Sequence, residues 1–185
     1  MKKNFTIATI ALLAVAFWST LGRADQSLPS AADSSSLEAK VRHELVLLPF
    51  YSVYDDLNYT VMGDTVTLTG QVTRPTLRSD AEAVVKRISE VSTVVNQIEV
   101  LPLSPSDNYI RRAAYGTLFN SNSPLFRYAL GSDPSIHIIV ENGHVTLKGA
   151  VSSALDKQFA SMYVRQIFGV FSVTNDLNVA WSQGA

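Results

Sequence analysis

The chain contains no cysteine. No disulfide can staple it, no thiolate zinc site can form, and the lipid-modified cysteine that anchors bacterial lipoproteins is missing. Histidine is scarce as well. His137 and His144, with Glu141 between them, invite a metal, but they lack helix spacing and cysteine partners, and no metal or cofactor is expected. His43 reads as a solvated helix residue. No Gly-x-Ser-x-Gly elbow, paired acid and base, or phosphate-cradling glycine loop occurs, which argues against an enzyme. An excess of one charge is absent too, with 15 Lys and Arg against 16 Asp and Glu. That balance gives no basic excess of the kind that suggests a nucleic-acid binder, and none is expected.

Nor is there an apolar run long enough to span a bilayer. Ile7 to Trp18 is apolar apart from Thr9, short of the roughly 20 residues that spanning requires. Lys2 and Lys3 precede it, and Leu21-Gly22-Arg23-Ala24 places small residues before a cut after Ala24. Residues 1–24 therefore read as a secretory signal peptide. The mature chain is expected to begin near Asp25, to be exported to the periplasm, and to keep no transmembrane span. Residues 25–36, rich in Ser and Ala, read as a flexible segment.

What the chain does have is a repeat at a spacing of 79 residues. Val66, Thr67, Leu68, Gly70 and Val72 return as Val145, Thr146, Leu147, Gly149 and Val151, and Val94, Asn96 and Val100 as Val173, Asn175 and Val179. Ala81, Val85, Ile88 and Val91 match Ala160, Val164, Ile167 and Val170 without a gap. The recurring residues are apolar or glycine, as a shared core requires. Modules of about 65 residues are marginal alone, so the copies are expected to pack on each other. Pro102 and Pro105 stiffen the short connector between them.

Each copy reads as helix, strand, strand, helix, strand, giving an α+β fold of two tandem modules. Each is expected to be a three-stranded mixed sheet packed against two helices. Ser35 with Glu38 suggests a capping box, followed by Leu37, Val41, Leu45 and Leu48 on one helical face until Pro49. Alternation over Thr65 to Thr73 marks a half-buried strand after the Gly63-Asp64 turn, and a helix over about Thr76 to Ser89 leads to a strand from Val94 to Val100. In the second copy Asp107 is expected to cap a helix carrying Ile110, Ala114 and Leu118. A hairpin then turns at Asn142-Gly143, Ser153 with Asp156 caps the next helix, and Val173 to Val179 closes the unit. Gly70 and Gly149 read as points of close backbone packing, and Asn96 and Asn175 as side chains bonding a nearby turn.

These residues resemble the BON domain, named for the bacterial OsmY and nodulation proteins. The pattern stands as Gly143, Val145-Thr146-Leu147-Lys148-Gly149-Ala150-Val151, Ala160, Val164, Gly169-Val170, Val173-Thr174-Asn175 and Val179. The first copy departs from it at Glu90, where the glycine is expected. Residues 37–103 are expected to form the first such domain and 104–180 the second. The resemblance implies an envelope setting, binding of membranes, phospholipids or envelope proteins, a part in osmotic or envelope stress, and no catalysis.

Candidate contact residues come from differences between the copies. Asp80, Ala83, Ser89 and Ser92 of the first become Phe159, Met162, Phe168 and Phe171 in the second. Phe159 and Met162 are expected either to cover the first copy or to meet an external partner. Arg111, Arg112 and Tyr115 on the second copy's first helix, joined by Arg127 and Tyr128, are expected to be exposed and to suit a phospholipid headgroup boundary. Residues 107–179 hold 6 Lys and Arg against 5 Asp and Glu, whereas 37–103 hold 6 against 9, so an anionic surface would favour the second copy. The leading expectation is peripheral binding to anionic phospholipid. The alternative is an interaction or chaperone-like module docking on an envelope protein.

Overall fold

Alternation of β-branched and polar residues makes Thr65–Val72 the central strand of the first sheet: Val66, Leu68 and Val72 are fully buried on one face. The computed structural model describes residues 31–130 and 135–180, so the expected signal peptide lies outside the described residues. Helix α1 (Ala31–Val46) is followed by β1 (Asp56–Met62) and β2 (Thr65–Val72), helix α2 (Pro75–Val85), and the short strands β3 (Thr93–Asn96) and β4 (Glu99–Val100). The second module holds α3 (Pro105–Leu118), a 3-10 turn (Phe126–Ala129), β5 (Ile136–Glu141), β6 (His144–Val151), α4 (Ala154–Arg165) and β7 (Ser172–Val179). Among the described residues no helix is long and apolar enough to cross a membrane.

In both sheets the hairpin is antiparallel and the last strand pairs in parallel with the central one, as a helical crossover dictates. The repeat spacing holds in the register. Leu68 faces Asn96, and Leu147 faces Asn175. The first sheet differs in that its last strand is split after Asn96. In both modules the asparagine side-chain Oδ1 accepts from a backbone N–H two residues on, Ile98 at 3.1 Å and Leu177 at 3.4 Å. Asn96 also donates to the Arg78 carbonyl (2.9 Å), and Asn175 to the Lys157 carbonyl (2.6 Å). Each asparagine thus ties its sheet to the helix above it.

Gly70 (φ 115°) and Gly149 (φ 111°) mark close strand crossings, since a Cβ would lie 2.1 Å from the Asp56 carbonyl oxygen and 2.2 Å from that of Ser135. At the other expected glycine, Gly169 has φ 88°. Glu90 takes that place in the first module, outside the left-handed region, and pairs with Lys40 on α1. This pairing holds the Glu90 carboxyl at about 2, chiefly through the Lys40 hydrogen bond.

Two helix starts differ from expectation. α1 begins at Ala31, so Ser35 lies inside the helix rather than capping it, and residues 31–36 are helical instead of flexible. α3 is capped by Ser104, whose hydroxyl accepts from the Asp107 N–H at 3.1 Å. Asp107 is freed for another task described below. Ser153 caps α4 as expected.

The modules pack on each other through the loop between α1 and β1. Val53 is buried in the second module's core, alongside Ile138 and Leu147, and its carbonyl accepts from the Ile138 N–H at 2.7 Å. That bond covers the outer edge of β5. Ile136, Ile138 and Val140 face the core, yet His137 and Ile139 on the opposite side are buried too. Tyr51 of the first module packs against His137 with the rings tilted and their centroids 5.8 Å apart. Lys148 meets Asp56 across the junction at 2.6 Å.

Candidate functional site

Helix α3 presents one face to the core through Ile110, Ala114 and Leu118. The helical period leaves Tyr109, Arg112 and Tyr115 on the solvent side, and all three are exposed. Asp107 is the only acid of this helix and is 1% exposed. Its two carboxylate oxygens accept from the backbone N–H groups of Asn142 (2.9 Å) and Gly143 (2.8 Å). A local cap expected from sequence is in fact a clamp on the hairpin turn 35 residues away. The solvent face of α3 is left with an arginine, two tyrosines and no free acid.

Arg111 corrects the sequence expectation of an exposed cation. It is 5% exposed, donating from Nη2 to the Val140 carbonyl (2.5 Å) and from Nη1 to Asn108 (2.7 Å). Burial lowers its pKa, and the nearby charges of Asp107 and Asp55 oppose that shift. One turn of helix puts Arg111 on the flank that meets β5, a tertiary fact that the sequence spacing does not disclose. Tyr115 stacks edge-on with Phe119 (5.2 Å) and Tyr54 (6.3 Å), so it touches the module junction while remaining exposed. Burial and the Tyr115 hydroxyl raise the Tyr54 pKa, against the pull of Arg112 and Arg111.

Replacing Arg111 by alanine is expected to cost about 1 to 3 kcal/mol, because the Val140 carbonyl loses its buried partner. Arg112→Ala should stay within about 0.5 kcal/mol of wild type, as exposed surface changes do. Urea melts of the two variants check the contrast.

Arg127 and Tyr128 are not part of the α3 surface. They sit where β6 ends and α4 begins, whereas Arg111 reaches the hairpin end of the same sheet. The Tyr128 hydroxyl, in a residue only 8% exposed, accepts from the Ser152 N–H (2.8 Å) and donates to Asp156 (2.9 Å). Arg127 pairs with the same Asp156 oxygen at 2.6 Å, and its guanidinium lies 4.9 Å from the Tyr128 ring centre. Burial alone would raise the Asp156 pKa, but hydrogen bonds from Ser153 and Tyr128 and the Arg127 charge outweigh it and lower the value. This network fastens the long second-copy loop to the sheet.

Phe159 is half-buried against the second module's own core and stacks on Tyr163 with centroids 6.1 Å apart. It does not join the first module's core. Met162 is 44% exposed. Among the described residues the most exposed aromatics are Phe168 and Phe171, at 86% and 79%, in the turn between α4 and β7.

Between the modules lies an open cleft of about 800 Å³, bounded by α1 and β1 on one side and by β6 and β7 on the other. Arg42, Asp56, Lys148 and Asp176 give its wall both signs of charge. The sequence reading missed this cleft, which Tyr51 lines, and the junction contacts of Val53 and Tyr54 beside it. Their one signal is a dense apolar stretch between Phe50 and Tyr54, in a loop where polar residues are the norm. Among the described residues no group of His, Asp and Glu is placed to hold a metal, and His144 instead bonds Ser172 at 2.7 Å.

Two solved structures are similar over most of the chain. One is a study of CdsD, a structural protein of the type III secretion system of Chlamydia trachomatis, with 12% identity, covering 80% of this chain and 94% of that one, TM-score 0.33. The other is the C-terminal domain of CdsD from the same organism, with 13% identity, covering 78% and 97%, TM-score 0.31. Among curated proteins, none matches the chain. The BON domain model matches residues 33–102 and again 126–180, the same two segments that carry the repeated sheets, and the chain therefore belongs to the BON domain family.

Proposed function

We propose that this is a non-enzymatic, exported envelope protein whose second module associates peripherally with an anionic phospholipid surface and serves under osmotic or envelope stress. The observation that carries the reading is the solvent face of α3, where Arg112 stands with Tyr109 and Tyr115 while Asp107 is turned inward onto backbone amides. An arginine beside amphipathic rings, with no carboxylate to repel headgroups, suits the boundary between phosphates and acyl chains. Membership of the BON domain family accords with an envelope role.

The test is flotation of the full chain with phosphatidylglycerol-containing vesicles and with neutral phosphatidylcholine vesicles. Binding to the first only, weakened by salt, is the expected result. Arg112→Glu should weaken it about tenfold or more, since each basic residue at such a surface contributes about 1 kcal/mol and reversal counts twice. Equal flotation with both vesicle types, or none with either, would overturn the reading. A second reading, a module that docks on an envelope protein, is favoured by the cleft of about 800 Å³ between the modules. Capture of one defined envelope protein by the full chain, lost when the cleft is blocked by Ala150→Trp, would favour it.

A further inference from the structure

We propose that the turn Phe168 to Phe171 is an insertion tip, whose two rings enter the acyl boundary of an anionic phospholipid bilayer. The inference rests on the peripheral-lipid reading above and names where the second module penetrates. Phe168 and Phe171 are 86% and 79% exposed, yet the turn that carries them is firmly mounted. Val170 between them packs on the core, and Gly169, at φ 88°, lies within ordinary contact of the Ile110 side chain. The Phe171 N–H donates to the Gly143 carbonyl at 2.9 Å. Its ring covers Gly143, where a Cβ would lie 2.4 Å from Cδ2, and leans on His144 at 6.1 Å between centroids. Asp107 holds that hairpin turn from beneath.

The first module is an internal control. Its turn closes with the equivalent bond, the Ser92 N–H donating to the Asp64 carbonyl at 2.9 Å, and Val91 packs on the core, although Glu90 is outside the left-handed region that Gly169 occupies. Where the rings would stand it has Ser89 and Ser92. The fold thus requires the valine and the closing hydrogen bond but not the phenylalanines. Large apolar groups that folding does not need, held outward on a rigid turn, mark a contact surface.

Shape and charge together select lipid as the occupant. The rings crown a convex turn between a helix end and a strand start, suited to a deformable apolar layer. Arg165 in the last turn of α4, three residues before Phe168, is exposed. The first module instead carries Glu90 within its turn. Apolar rings beside an exposed arginine match acyl chains beneath anionic headgroups.

The experiment replaces both rings by the residues of the first module, Phe168→Ser with Phe171→Ser, in the full chain. The thermal melt should be unchanged and partitioning onto phosphatidylglycerol-containing vesicles about 10- to 100-fold weaker. A second variant carries Phe168→Trp in a Trp18→Phe, Trp181→Phe background. Its emission should shift to the blue on those vesicles and be quenched by lipids brominated on the acyl chain. If wild type floats and the double serine variant floats equally well, the tip is wrong and the peripheral reading stands, with the rings assigned to a protein contact. Absence of acyl-chain quenching while the protein is bound also overturns the tip. Failure of wild type itself to float overturns both.

Discussion

Truncating Leu147 to alanine is expected to destabilise the protein by about 2 to 5 kcal/mol, and Leu68→Ala by a similar amount, because each leaves a cavity in a packed core. Both leucines are fully buried. Each lies on the central strand of its sheet, opposite an asparagine of the last strand. The two sites occupy equivalent positions in the repeat, so their losses should fall in the same range. Leu147 also shares its core with Val53 of the first module, so its truncation should loosen the junction as well as the second sheet. Chemical melts give the energies, and a rise in hydrodynamic radius reports the junction. A loss within the error of the melt would show that the leucine does not bear on a core.

Asp107→Ala should cost about 2 to 6 kcal/mol, from two backbone N–H groups that each lose a charge-assisted partner at about 1 to 3 kcal/mol. The residue is 1% exposed, and its oxygens lie 2.9 Å from the Asn142 nitrogen and 2.8 Å from that of Gly143. Asp107→Asn retains one acceptor oxygen and should fall between alanine and wild type. Amide hydrogen exchange at Asn142 and Gly143 should quicken in both variants ahead of the rest of β5 and β6. A role confined to capping α3 would leave those two amides protected, since Ser104 already fills the cap. Because Gly143 supports the Phe171 ring, the alanine variant should also weaken vesicle binding.

Local chemistry made much of the fold legible. Asn142-Gly143 turns with φ 51° and 79°, as tight hairpins need, and Ser153 caps α4 through a bond within its own first turn. Both effects act between neighbours in sequence, and the apolar alternation of β2 and β6 is of the same kind. The repeat added the equivalence of the sheets, since matching cores demand matching registers. Exposure on a helix flank could not be read in this way. Arg111 and Arg112 are adjacent in sequence, yet one donates to Val140 in the interior and the other faces solvent.

By itself the sequence determined two α+β modules, their succession of elements, their hairpin turns, their principal core residues and their family. These follow from periodicity, from conformations that only certain residues tolerate, and from a repeat that shows twice what packing requires. Tertiary structure alone decided that Asp107 clamps a distant turn, that Arg127 and Tyr128 fasten a loop, and that Val53 enters the second core. It also decided that Phe159 turns toward its own module while Phe168 and Phe171 turn out. Each of these outcomes depends on which neighbour lies across a few ångströms of space. Residues separated by dozens of positions meet there, so burial and partnership are settled only when the chain has closed on itself.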